Sequence, residues 1–148
     1  VKVLWSILCQ DAVIDRETNN VSLFNIVEEV SIPVEPPTKT PTSVAPQRLT
    51  AADFALVTLW ARSDEKVGEQ GRGRIRLVLP DTKEVAQSEF EVDLTTYLRS
   101  RFVMRFHGLP GGDQGTYRFI IESKDMAGDW VQMFELPLRV AIQSQESG

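Results

Sequence analysis

Thr116-Tyr117-Arg118-Phe119-Ile120-Ile121-Glu122 and, past a short turn, Met133-Phe134-Glu135-Leu136-Pro137-Leu138-Arg139-Val140 decide how this chain folds. In the first segment Tyr117, Phe119 and Ile121 alternate with Thr116, Arg118 and Glu122. In the second, Phe134, Leu136, Leu138 and Val140 alternate with Met133, Glu135, Pro137 and Arg139. Successive side chains of a β-strand point to opposite faces, so a period of two marks a half-buried strand. Phe102, Met104 and Phe106 alternate in the same way with Val103, Arg105 and His107.

Working outward, the pattern predicts about eight strands: Val3–Ile14, Val21–Ile32, Phe54–Arg62, Arg72–Leu79, Glu89–Asp93, Phe102–Gly108, Thr116–Lys124 and Trp130–Ile142. Composition agrees. Valine is the commonest residue with 16 copies, and β-branched side chains suit a pleated, half-buried surface. Turn-forming pieces separate the segments: Asp15–Asn20, Pro80–Lys83, Leu109–Gly115 and Asp125–Gly128. Helical signals are confined to one or two turns, at Leu94, Tyr97 and Leu98 behind Asp93 and at Thr50–Asp53. The connection from Pro33 to Ala52 is unusually long and holds five of the eight prolines between Pro33 and Pro46. Such a segment either crosses between sheets or carries function.

A chain of 148 residues has the length of one ordinary domain, large enough for a core without metal or disulfide staples. Short strands, frequent turns and almost no helix read as an antiparallel β-sandwich. Trp60 in the third strand, where a ring fills the space between sheets, favours an immunoglobulin- or C2-like form. So does Leu109–Tyr117, which has the shape of a tyrosine corner. The opening Ser6–Asp15, the hairpin segment Asn20–Glu29 and Gly115-Thr116-Tyr117-Arg118-Phe119 resemble a group of small bacterial proteins that are stand-alone β-sandwich domains of unknown function. The resemblance spans most of the chain but rests on structural motifs. It implies the sandwich fold and a bacterial, soluble setting, and it carries over no functional residue.

Composition excludes several functions. With 16 Lys+Arg against 21 Asp+Glu, the net charge is −5, contrary to the basic face that a general nucleic-acid binder needs. No apolar run approaches the ~20 residues of a membrane helix. The single cysteine, Cys9, rules out an internal disulfide framework and multi-cysteine zinc sites and reads as a small buried hydrophobe. The chain opens on Val1, and its first apolar stretch lacks a basic leader and a small-residue cleavage site. A cytoplasmic protein with a trimmed N-terminus is the expectation. Asn20-Val21-Ser22 matches a glycosylation sequon, a triplet that arises often by chance.

Catalytic and metal signals are weak. His107 is the only histidine and reads as a rim residue beside Arg105. The loop acids Asp11, Asp15, Asp64, Glu65, Asp113, Asp125 and Asp129 do not make a calcium loop and are expected in turns. No nucleophile elbow or phosphate-binding glycine loop occurs. Trp5, Trp60 and Trp130 would form a sugar-stacking platform only if exposed together.

The expected function is therefore a non-catalytic, cofactor-free sandwich that binds a protein partner or another copy of itself. The alternatives are a ligand- or carbohydrate-binding sandwich and, behind it, an enzyme on the same scaffold. Candidate partner-binding residues are Pro36, Pro37 and Pro41 in the long connection and the one-faced stripe Arg72, Arg74 and Arg76. Glu89, Glu91 and Asp93 on the next strand are expected to neutralise that stripe. Two registers follow. Arg72, Arg74 and Arg76 should oppose Glu91, Glu89 and Gln87, with Leu79 facing Glu84. In the last hairpin, Tyr117, Phe119 and Ile121 should oppose Leu136, Phe134 and Gln132.

Overall fold

The computed structural model describes residues 1–33, 48–49, 53–110 and 113–143. They form an all-β sandwich. Its strands are β1 (Lys2–Ile14), β2 (Val21–Ile26), β3 (Glu29–Pro33), β4 (Arg48–Leu49), β5 (Phe54–Ala61), β6 (Glu69–Val78), β7 (Glu84–Leu94), β8 (Arg99–Phe106), β9 (Leu109–Pro110), β10 (Gly115–Lys124) and β11 (Trp130–Gln143). One sheet has the order β2-β1-β5-β8, the other β3-β11-β10-β6-β7, and β4 pairs with β9 in a separate ribbon. No helix long and apolar enough to cross a membrane occurs among the described residues.

The main core lies between the sheets. Phe54, Leu56 and Trp60 from β5 meet Ile75 and Leu77 from β6, Tyr117, Phe119 and Ile121 from β10, and Leu138 and Val140 from β11. Phe119 sits edge-on to Phe54 and Phe106, at centroid distances of 6.1 and 5.3 Å. Trp60, 1% exposed, lies edge-on to Phe90 across the sandwich. The Tyr117 hydroxyl donates to the carbonyl of Asp113 four residues back, at 3.0 Å, which is the geometry of a tyrosine corner.

A second cluster of Cys9, Ala12, Ala55 and Val57 packs with Trp5, Val21, Leu23 and Val103. Strand alternation puts Ala55 and Val57 on the face of β5 opposite Phe54 and Leu56, outside the main core. The first half of β1 pairs with β5, and its far half pairs with β2. That far half folds back over the sheet as a hairpin. Its reach is fixed by β8, the strand beyond β5: Arg101 donates to the Asn19 carbonyl at 2.6 Å, and Arg105 to the Asp11 carboxylate and Ala12 carbonyl, each at 3.2 Å. The hairpin thus buries an apolar outer face that would otherwise meet water.

Several expectations need correction. Val21–Ile32 is two strands, not one. Asn25 adopts a left-handed φ of 51°, Val27 donates to the Leu8 carbonyl, and the chain then crosses to the other sheet. There β3 runs parallel to β11, so the sandwich is not purely antiparallel. No helical turn forms at Leu94–Leu98. Leu94 is buried at the end of β7, whereas Tyr97 and Leu98 are exposed. The Asp93 carboxylate takes the Thr95 amide and hydroxyl, and Arg62 takes the Leu94 and Thr95 carbonyls that a helix would use. Thr50–Ala52 lie outside the described residues.

The β6–β7 register agrees with the expectation for Arg72, Arg74 and Arg76, opposite Glu91, Glu89 and Gln87. It departs near the turn, where an irregularity pairs Val78 with Glu84 and Leu79 instead bonds Lys83. In the last hairpin the shared face of Tyr117, Phe119 and Ile121 with Phe134 and Leu136 is kept, but the register is two residues off. Tyr117, Phe119 and Ile121 oppose Leu138, Leu136 and Phe134. A bulge between Ile121 and Glu122 then brings Gln132 opposite Glu122, on the outer face. The loop and the bulge contribute one residue each: Asp125 bonds Asp129, with Gly128 at φ 91°, so the loop spans one residue more than a four-residue turn, and the bulge adds the second.

Candidate functional site

Arg72, Arg74 and Arg76 do share the outer face of β6, but two of them are taken. The Glu122 carboxylate on β10, its side chain 7% exposed, accepts from Arg74 Nε at 2.5 Å and from Arg76 Nε and Nη2 at 3.0 and 3.1 Å. Arg76 also donates to Glu84 at 2.9 Å. Burial pushes the Glu122 carboxyl up, but hydrogen bonds from Arg74 and Arg76 outweigh it and hold the group below the usual carboxylate range. The guanidinium of Arg74 lies 4.4 Å from the ring centre of Trp130. Only Arg72 is open, 4.0 Å from Glu89. The stripe is a neutralised ladder, and its main counter-ion is Glu122 rather than the acids of β7.

Pro36, Pro37 and Pro41 lie outside the described residues. Of that connection, the backbone of Arg48 and Leu49 is described, paired with β9. His107, its side chain 79% exposed, lies 3.3 Å from Asp53, and both line an open groove of about 560 Å³ together with Asp11 and Arg105. Cys9 is fully buried, and burial raises its thiol. The tryptophans do not share a face. Trp60 is buried between the sheets, Trp5 packs under the hairpin and Trp130 lies beneath Arg74 on the other sheet. Asp15 and Asp125 cap backbone amides of their own turns.

One side of the sandwich that the fold leaves open ends in β7 and β8; the other edge strands of the two sheets are β2 and β3. β7 and β8 are edge strands of different sheets, and both lie on this side. Their chemistry is opposite. On the outer face, β7 presents Glu89, Glu91 and Asp93, and β8 presents Arg99, Arg101 and Arg105. Thr95 hydrogen bonds hold Asp93 below the usual carboxylate range. Among the described residues, neither Arg99 nor Arg101 has a carboxylate within ion-pair distance, and Glu91 has no cationic partner. Between the two edges the core is not closed. Phe90 and Phe102 stack at 3.8 Å, half-buried, with half-buried Met104 beside them.

The loop joining these strands is held firmly. Arg62, itself buried, donates to the carbonyls of Leu94, Glu65 and Thr95 at 2.6, 3.0 and 2.8 Å and so ties the β5–β6 loop to the β7–β8 loop. Between the hairpin tip and β8 lies a groove of about 740 Å³ walled by Trp5, Leu59, Tyr97, Arg99 and Arg101.

The acids of β7 are legible as a one-faced set in the sequence. The arginines of β8 are missed because the strand, read from Phe102, starts three residues late, although Arg99-Ser100-Arg101 continues the alternation. Fold and site together define a β-sandwich in which two of the edge strands, β7 and β8, carry opposite charge. The chain matches no family model, no curated protein and no solved structure.

Proposed function

We propose that this protein is a non-catalytic binding module that takes an extended strand onto the open side of its sandwich. The reading is carried by one observation: two unpaired edges of opposite charge flank the half-buried seam of Phe90 and Phe102. An edge strand offers unpaired N–H and C=O groups that a second strand completes, and alternate side chains then supply specificity. A strand added to β8 meets Arg99, Arg101 and Arg105 on one face and Phe102 and Met104 on the other. The fitting partner alternates acidic and apolar residues. A fluorescent peptide Glu-Phe-Glu-Val-Asp-Leu, titrated against dilute protein at low salt, should bind saturably. A peptide of the same composition with acids and apolar residues in blocks should bind at least about tenfold more weakly. Equal binding of the two peptides, or of neither, would overturn the proposal.

A small-anion site is a second reading, favoured by the groove at the hairpin tip, where Arg99 and Arg101 face Trp5 and Tyr97 without a lining carboxylate. Saturable quenching of tryptophan fluorescence by an aromatic carboxylate, lost in Arg101→Gln, would support it.

A further inference from the structure

The partner strand that β8 asks for is present in the chain itself, as Glu89-Phe90-Glu91-Val92-Asp93-Leu94 on β7. We infer that the occupant of the open side is a second copy of this chain, in a two-fold dimer that pairs β7 of each copy with β8 of the other. The inference rests on the strand-addition reading above and names its partner.

The geometry follows from three features. First, β7 and β8 are joined by a short loop, run in opposite directions and edge different sheets on the same side of the sandwich. A two-fold axis along the strands, placed against that side, sets the acidic sheet of one copy level with the basic sheet of the other. It also keeps both outer faces on the same side and makes each β7–β8 pair antiparallel. Axes that set β8 against β8 or β7 against β7 bring like charges together, which is destabilising.

Second, the register is fixed within the monomer. The stacked rings of Phe90 and Phe102 mark positions at the same height along the two strands. Rotation about an axis parallel to the strands preserves height. Phe90 therefore opposes Phe102 of the other copy, Glu91 opposes Arg101, and Asp93 opposes Arg99. Among the described residues of the monomer, neither of these β8 arginines has a carboxylate within ion-pair distance.

Third, the same rotation brings the two Phe90–Phe102 stacks together at the axis and closes a part of the core that the monomer leaves half-open. Isologous closure of this kind ends the assembly at two copies.

A disulfide trap distinguishes this arrangement from others. In the monomer, positions 91 and 101 lie on the outer faces of opposite sheets, whose mid-planes in a sandwich are about 10 Å apart, beyond the reach of a disulfide. The double variant E91C/R101C in a Cys9→Ala background should oxidise to a covalent dimer, whereas E91C or R101C alone should not. Sedimentation of the full chain at low salt should show a dimer that weakens as salt rises. R99E/R101E should raise the dissociation constant at least about tenfold, as should E91R/D93R, and the combined four-residue swap should restore it to within about threefold. Glu91, Asp93 and Arg99 are exposed and Arg101 is half-buried against the Asn19 carbonyl, so circular dichroism of each variant should be checked against the wild type, and R99E alone, which leaves the hairpin contact intact, should also weaken the dimer. A monomer at all concentrations that still binds the alternating peptide would overturn the dimer and leave the strand-addition reading standing. A monomer that binds neither peptide nor itself would remove both.

Discussion

Replacing Glu122 by Gln keeps the side chain's shape and removes one buried negative charge. Its consequence can be worked from the geometry. The carboxylate is nearly enclosed and holds three hydrogen bonds from Arg74 and Arg76, whose side chains are 16% and 24% exposed. Removing one partner of a buried ion pair costs about 3–5 kcal/mol, because the remaining charge stays desolvated. Here the lower end applies: Arg76 retains Glu84, and Arg74 retains the face of Trp130. We expect a loss of about 3 kcal/mol at pH 7, or roughly 10 °C in Tm for a chain of this size.

The pH dependence has a definite sign. Glu122 has a lowered folded-state pKa, so its ionisation contributes stability above the ordinary carboxylate value, and that contribution disappears as pH falls through the lower folded-state value. Gln does not titrate at this position. The difference between wild type and Glu122→Gln should therefore be constant from pH 7 to about 5 and collapse on further acidification. Urea melts of both proteins across this range measure it. A difference below about 0.5 kcal/mol at pH 7, or one that persists unchanged under acid conditions, would refute the view of Glu122 as the counter-ion of the ladder.

Phe119→Ala removes a fully buried ring that contacts two others and should cost about 3–5 kcal/mol in denaturant melts, a large share of typical stability. Gly73→Ala tests the tightness of the seam: a methyl there would overlap the Phe90 ring and come within 3.0 Å of Trp60, for an expected loss of about 1–3 kcal/mol by thermal melting. Arg62→Met keeps the apolar stem but loses three hydrogen bonds to loop carbonyls. It should cost about 2–3 kcal/mol, with faster amide exchange at residues 95–98 than at the centre of β10.

The strands were legible because burial on one face imposes a period of two, and that signal is local to each segment. Parity survived even where register did not: Phe119 faces the core whether it opposes Phe134 or Leu136. Register in the last hairpin depends on loop length and on the bulge after Ile121, and neither leaves a mark in the alternation. The split of Val21–Ile32 is hidden for a different reason. Both halves are apolar enough for strands, and the switch between sheets lies in one left-handed residue, Asn25, and one backbone bond from Val27. At the site, the acids of β7 were visible and the arginines at the start of β8 were not, because Arg99 and Arg101 carry no apolar residue between them to signal a strand. Glu122 stood on the outward face by alternation. That it meets Arg74 and Arg76 requires β10 to lie beside β6, a pairing across more than forty residues that no local pattern encodes.

The parallel pair of β3 and β11 bears on how the protein is made. Residues 29–33 leave the ribosome long before residues 130–143, yet they pair with them, and Ile32 belongs to the same core as Leu138 and Val140. β3 therefore cannot be placed until β11 has been synthesised. The same holds for β6, whose inner neighbour β10 arrives some forty residues later. The first sheet, with the order β2-β1-β5-β8, is complete once Phe106 has emerged and can assemble by itself, whereas the second waits for β11. During that interval the apolar face of the first sheet lacks its covering layer, a period when holdase chaperones have a natural binding surface and truncated products are prone to aggregate.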